Sequence, residues 1–378
     1  MWLKLNTEKI SDIQGIKLMI LFIFGSTLVM GTGAEAERDM WLSIVAAILL
    51  AIPLLLVYSR ILSLFPGKDL FEILELNFGK FFGKLTSLLF IWFSFHLGAL
   101  VIRNFGEFIS TVALPETPKI VPMIIFTLLC IWGAKAGIET LAKCSEYFLI
   151  FAISLILLFG LLVIPNMDID NIMPIMGNGF RKAMAGVFSA ITFPFGETVV
   201  FMLIFSSLRD KKSSFRVFIP ALLLGGLVVV YISLRNIMVL GPSTIKAVYF
   251  PSYSAISRVN IGNFLQRMEI AVTVVFILSG FIKVTVCLLG ATKGMARVLG
   301  FDDYRILVMP IGLLMVNLSY IVYKDILEMF DWAFKVWPYY ALPFQVILPV
   351  MIWIFIELKQ RAKNKPKKEL TAADVNAD

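Results

Sequence analysis

Charge is scarce in this chain. Asp, Glu, Lys and Arg make up only 16% of its 378 residues, against about 25% in a soluble domain, which excludes an ordinary water-soluble globule. Histidine occurs once, as His96, so no HExxH element and no two-histidine metal site can form. The three cysteines, Cys130, Cys144 and Cys287, are too widely spaced for a CxxC knuckle or a disulfide framework. No phosphate-cradling glycine loop, dinucleotide fingerprint or nucleophile elbow stands in a fitting context. With one histidine and no paired aspartates in the apolar segments, a nucleophile–base pair is missing too. The chain reads as a non-enzyme with no cofactor.

What is abundant is apolar sequence. Hydrophobic residues reach 59% and the mean hydropathy is +0.88, gathered in runs near the roughly 20 residues that cross a bilayer. Membrane β-strands alternate apolar and polar positions, and these runs do not, so a barrel is excluded. The expected fold is an all-α polytopic membrane protein of ten transmembrane helices, at 13–32, 40–60, 84–111, 119–135, 143–164, 182–207, 214–240, 268–294, 304–323 and 337–358. Between the second and third, Leu70, Phe71, Leu74 and Phe78 recur at helical spacing among charges, which suits a short interfacial helix. The membrane domain takes in residues 1–358, with halves of about 13–164 and 182–358, and residues 359–378 form a disordered basic tail able to touch anionic lipid.

Basic residues set the orientation. Lys4, Lys9, Lys17, Arg60, Lys68, Lys80, Lys84, Lys135, Lys143, Arg209, Lys211, Lys212, Arg216, Lys293, Arg297, Arg305 and the tail fall on one side. The other side holds Arg38, Lys119, Arg181, Lys182, Lys246, Arg258, Arg267, Lys324 and Lys335. The first set is more than twice the second, which puts both termini in the cytoplasm. The net charge of +8 is therefore a topology signal and does not point to nucleic acid. The basic start, the run from Ile16 to Met30 and Ala34-Glu35-Ala36 also have the outline of a secretory leader, although Glu35 and Glu37 are poor company for cleavage.

Polar groups inside spans are costly and therefore informative. Arg103 and Glu107 stand four apart in the third span and can neutralise each other, as a structural pair or as a gate. His96, deeper in the same span, reads as a packing residue or a proton relay. Glu197 lies mid-span in Thr192-Phe193-Pro194-Phe195-Gly196-Glu197, where proline and glycine weaken the helix. Broken backbone survives in a membrane only where protein or a cavity surrounds it, and the half-helix that follows attracts anions. The first span is weakened at Phe24-Gly25-Ser26-Thr27, followed by Gly31-Thr32-Gly33. Breaks in the first and sixth helices suit a five-plus-five inverted repeat with a midplane site. Lys283, central in the eighth span, must find a carboxylate or carbonyl oxygens. Its ammonium either lies against the first break or near Glu197, in the place of a coupling sodium ion, or snorkels to one interface.

The ordered segments Gly25-Ser26-Thr27-Leu28, Asp39-Met40-Trp41-Leu42-Ser43, Phe65-Pro66-Gly67-Lys68, Phe78-Gly79-Lys80-Phe81-Phe82-Gly83-Lys84, Phe193-Pro194-Phe195-Gly196-Glu197 and Arg267-Met268-Glu269 leading to Phe281-Ile282-Lys283 carry a family resemblance. The chain resembles the B subunit of the spore germinant receptor, the spore germination permease branch of the amino acid–polyamine–organocation superfamily, over about residues 8–358. The resemblance implies an amino acid permease type of fold in a bacterial inner membrane, that of the cell or the spore. It also implies a complex with receptor A and C subunits, and binding of a small nutrient, usually an amino acid or sugar, that triggers germination. Carried over, Gly25, Ser26 and Thr27 would turn their amides toward a ligand carboxylate, while Thr192, Phe193, Gly196 and Glu197 form the facing wall. The same pocket would serve the alternative, an amino acid transporter driven by a proton or cation gradient.

Overall fold

A computed structural model describes residues 8–208, 210–258 and 268–364. Arg209, Arg267, Lys4 and the tail from residue 365 lie outside the described residues. Among the described residues, eight helical segments are long and apolar enough to cross a membrane, and two further apolar helices of 17 residues accompany them. At 1.5 Å per residue the shorter pair spans about 25 Å, the low end of what crosses a bilayer. No sheet forms among the described residues, only one parallel bridge between Ile10 and Leu208. The chain is a multi-pass helical membrane protein.

Helix α1 (Asp12–Phe24) begins with a reciprocal cap, Gln14 N–H to Ser11 Oγ and Ser11 N–H to Gln14 Oε1, at 3.2 and 2.9 Å. A short α2 (Thr27–Met30) follows. Then come α3 (Met40–Leu64), α4 (Leu70–Val112), α5 (Ile120–Ala136) and α6 (Ile138–Leu162). The second half holds α7 (Phe180–Ala190), α8 (Ser213–Ala247), α9 (Pro251–Ile256), α10 (Ile270–Leu299) and α11 (Arg305–Ile321). The last span is α12 (Ile326–Asp331), α13 (Trp337–Leu342) and α14 (Leu348–Asn364), joined by wide turns at Trp332–Val336 and Pro343–Ile347.

Three sequence expectations are corrected here. The segment expected to lie in the interface is the first part of α4, set off from the span by a non-helical Gly79 at φ 79°. Its apolar stripe, Leu70, Phe71 and Leu74, is buried in protein, and Phe71 packs at Gly294 of α10. Arg297 holds it there through Glu72 and Glu75, at 3.3 and 3.0 Å. The last span starts at Ile326 instead of 337, because Asp325 caps it by accepting the Glu328 amide. It also runs on to Asn364, so residues 359–364, expected to be disordered, are helical.

The two interrupted spans, residues 12–30 and 180–203, are the most enclosed of the long apolar segments. Helix α1 is packed among α6, α8 and α10, with Leu18, Met19 and Leu21 to Phe24 fully buried. The stretch with a leader's outline is therefore the middle of the bundle, and Ala36, where cleavage would fall, has no exposed surface. Helix pairs approach through small residues, as where Gly133 faces Phe281 and Gly312 faces Ile131. Basic residues of each set gather on a shared carboxylate. Lys182 and Lys246 of one set share Glu37, while Lys293 and Arg305 of the other share Glu8.

Candidate functional site

The first interruption falls at Gly25. The helical ladder persists to this residue, whose amide donates to Leu21 O at 3.0 Å. Gly25 then takes φ 23° and ψ −125°, a backbone conformation that glycine adopts at little steric cost. The next amide, that of Ser26, has no carbonyl partner among the described residues. The second interruption follows α7. A wide turn over Ile191–Phe195 contains Phe193 in extended conformation (φ −139°, ψ 104°), and a 3-10 stretch, Gly196–Leu203, follows.

Backbone polar groups freed in a membrane need partners, and at the second break side chains supply them. Thr192 O accepts from Gln345 Nε2 at 2.9 Å and Trp337 Nε1 at 3.3 Å. Phe193 O accepts from Thr32 Oγ1 at 2.5 Å. Tyr58 donates its hydroxyl to Gln345 O at 2.5 Å, with Gly196 O 3.4 Å away. The Gly31-Thr32-Gly33 element, which comes after the first break, thus ties the C-terminal end of span one to the break in span six.

Lys283 joins the two breaks. Its Nζ lies 2.5 Å from Glu197 Oε2, and the two side chains are 0% and 1% exposed. The ammonium also stands 5.1 Å from the ring centres of Phe22 and Phe193, one beside each break. The lysine stem crosses Gly25 so closely that a Cβ there would collide with it. Lys283 therefore lies against the first break and beside Glu197 together, and does not snorkel. In so dry a place the pair holds only because each charge meets the other.

A narrow cleft, with free volume of about 30 Å³, runs between α2, α4, the second break and the last span. Phe193, Glu197, Asn104, Trp332 and Trp337 line it, together with Met30, Tyr323 and the aliphatic face of α4. Of the residues expected to face a ligand, Phe193 and Glu197 line this cleft. Gly25, Ser26, Thr27, Thr192 and Gly196 stand behind the lining. Gly25 cannot offer its amide, because the ladder still uses it. Thr192 Oγ1 is turned back onto Phe188 O and Ser189 O of its own helix, at 3.1 and 3.0 Å. Ser26 reaches the cleft indirectly, accepting from Asn104 Nδ2 at 3.2 Å.

The other charged positions stand apart. Arg103 Nε donates to Glu107 Oε1 at 2.8 Å, and its Nη1 reaches Tyr320 O at 2.7 Å and Ser319 O at 3.2 Å. Lys119 shares Glu107 at 2.7 Å. This is a clamp binding α4 to the end of α11. His96 is caged by Trp92, Trp332 and Tyr340, with ring centres 5.4, 5.5 and 5.2 Å away, and its Nδ1 has no partner among the described residues. Arg103→Leu is expected to cost about 1.5–3 kcal/mol, the worth of hydrogen bonds to a charged group, because Glu107 keeps Lys119. Thermal unfolding of the purified protein measures this. A variant of unchanged stability that responds differently to ligand would mark the clamp as a gate.

Sequence reading missed Asn104, Gln345, Tyr58, Trp332 and Trp337. The first two carried a usable signal, since an amide in mid-span is as anomalous as a carboxylate. The aromatic residues carried none, because packing and cleft lining look alike in sequence.

The pattern defining the spore germination protein family matches residues 9–326. Spore germination protein KB of Bacillus subtilis (strain 168) is 29% identical over 372 residues, covering 97% of this chain and 99% of that protein. Among solved structures, Mhp1, a nucleobase-cation-symport-1 family transporter in a closed conformation with bromovinylhydantoin bound, superposes with a TM-score of 0.69 at 15% identity, covering 94% of this chain and 80% of that one. A Na+-coupled sialic acid symporter in its substrate-bound outward-open state gives 0.64 at 14% identity, covering 91% and 79%. At such identities these two establish the fold alone, that of a transporter. A family pattern running through most of the chain, an equally extended relative and a transporter fold agree, and the chain belongs to the spore germination protein family.

Proposed function

We propose that this chain is the nutrient-binding B-type subunit of a spore germinant receptor. A small nutrient, an amino acid in this reading, occupies the cleft between the two interrupted spans, and its binding shifts the helix bundle between two states read by A and C subunits. The observation that carries the proposal is the fully buried Lys283–Glu197 pair, which joins both interruptions at the edge of an aromatic cleft. Trp332, Trp337 and Phe193 offer apolar walls. Ser26 and Thr27 stand behind the present lining; once the cleft parts, the Ser26 amide and the Thr27 hydroxyl, which has no partner among the described residues, supply donors for a carboxylate. The nutrient's ammonium then faces Glu197.

The free volume of about 30 Å³ is on the order of one water molecule. Binding therefore requires the last span to draw away from the second break, and a ligand that favours the parted state shifts the balance toward it. The fixed ammonium of Lys283 takes the place of a coupling cation. The ten apolar segments are read as ten spans in a five-plus-five inverted repeat, with both termini cytoplasmic in a bacterial inner membrane.

The fold of the symporters supports a second reading, an amino acid transporter driven by a proton or cation gradient. Vesicles containing the purified chain separate the two. Saturable binding of labelled amino acid without accumulation, independent of sodium, is the expected result. Gradient-driven accumulation would replace sensing with transport, and absence of any amino acid binding would remove both.

A further inference from the structure

Three cations are buried among the described residues, and two of them meet a carboxylate: Arg103 has Glu107 and Lys283 has Glu197. The third, Arg235 of α8, is 4% exposed and forms no ion pair among the described residues. Its Nε and Nη2 both donate to Asn236 Oδ1, at 3.2 and 2.8 Å, a neutral acceptor that leaves the positive charge uncompensated. Its Nη1 has no partner among the described residues. The neighbouring segment 259–267, outside the described residues, contains no Asp or Glu in its sequence. An isolated buried cation inside a membrane protein is expensive and marks a place where an anion is handled.

Arg235 lines a cleft separate from the one between the breaks. Its walls come from α6, α8, α9 and α10 and are apolar, with Leu155, Phe159, Ile232, Ile256, Val272 and Val275 among them. Only Arg235 and Ser252 bring polar side chains to it. Its free volume is about 30 Å³, enough for one water-sized group. A head of two or three oxygens exceeds this space, so it reaches the guanidinium only as the walls part, and whatever it is attached to must lie along the apolar mouth. We propose that Arg235 is the head-group anchor of a second site, which binds the oxyanion end of an apolar-tailed anion through charge-assisted hydrogen bonds.

The site is wired to the first broken span. Arg235 holds Asn236, whose Nδ2 donates to Ser252 Oγ at 3.0 Å, and the Ser252 hydroxyl donates to Leu28 O in α2. Leu28 itself lines the cleft. An anion that draws Arg235 toward the cleft loosens its hold on Asn236, and the change passes through Ser252 to the C-terminal half of span one. This inference stands on the Arg235 cleft alone, whatever occupies the space beside Glu197.

An oxyanion on an apolar tail arrives from two sources, a short fatty acid in solution or an anionic membrane lipid. The test uses the full chain in nanodiscs of phosphatidylcholine, with thermal unfolding followed as hexanoate is added, and in matched nanodiscs containing phosphatidylglycerol. The expected result is a saturable rise in the unfolding midpoint with one or both anions, and none with hexanol. A response to hexanoate alone assigns the solution source, and a response to phosphatidylglycerol alone assigns the lipid. Arg235→Gln is expected to weaken the response by about tenfold or more, the loss of one charged hydrogen-bonding partner. Arg235→Lys keeps the charge without the planar fork, and serves if the glutamine variant does not fold; it should respond more weakly than the unaltered chain. No response to either anion, an equal response to hexanol, or variants that respond like the unaltered chain would overturn the proposal.

Discussion

Lys283→Met is expected to destabilise the folded chain by about 3–5 kcal/mol, the cost of leaving a buried charge without its partner. Glu197 would then stay 1% exposed between two interrupted helices, with no other cation within ion-pair distance among the described residues. The magnitude depends on burial, since exposed pairs contribute only about 0–1 kcal/mol. Pairing the change with Glu197→Gln removes both charges and should recover most of the loss, because two neutral groups of similar volume no longer need each other. Thermal unfolding of the two variants in detergent is the measurement. If the single exchange leaves the midpoint where it was, the 2.5 Å contact is not holding the breaks together. Lys283→Arg keeps the charge and is expected to retain ligand binding, whereas Lys283→Ala loses it.

Gly25→Ala should abolish the ligand response while costing about 1–3 kcal/mol of stability, the range for overpacking a tight site. Two effects add here. The residue sits at φ 23°, where a side chain is strained, and its new Cβ would lie 3.0 Å from Phe22 O and 3.3 Å from Lys283 Nζ, and closer still to the lysine stem. Either the lysine or the break has to move, and both belong to one arrangement. Gly79→Ala is the control, because Gly79 also has positive φ, at 79°, yet nothing stands within 4 Å of the added carbon. It carries only the backbone strain of about 1–3 kcal/mol. A normal ligand response in Gly25→Ala would move the binding region away from the first break.

Both interruptions were legible because glycine and proline act on the backbone locally. Proline removes a donor wherever it stands, and a Gly-Ser step weakens any helix, so Gly25 and Pro194 announce themselves without knowledge of their neighbours. Glu197 and Lys283 were legible for a related reason, since a charge within an apolar run is anomalous by itself. Their meeting was legible only as one option among several, because it depends on how α10 is turned against the first and sixth spans. The cleft was hardly legible. Asn104, Trp332 and Trp337 are brought together from distant parts of the chain, and Trp332 lies in a wide turn that no short-range pattern announces. The expected role of Gly25 as an amide donor failed on a detail of one residue, for the ladder closes onto Leu21 O before the break begins. The short helix before span three was read correctly as a helix and assigned the wrong neighbour. Leu70, Phe71 and Leu74 show that an apolar face exists, yet lipid and protein satisfy it equally well in sequence.

By itself the sequence determined the membrane class, the positions of the two interruptions and the family. Each of these depends on composition or on backbone chemistry within a few residues, which tertiary contacts do not change. Only the tertiary structure decided that Lys283 closes on Glu197 across Gly25, that Gln345, Trp337 and Thr32 satisfy the carbonyls freed in span six, and that Arg235 meets no carboxylate among the described residues. Those outcomes turn on distances between helices remote in sequence, and a single rotation of one helix face would exchange every partner.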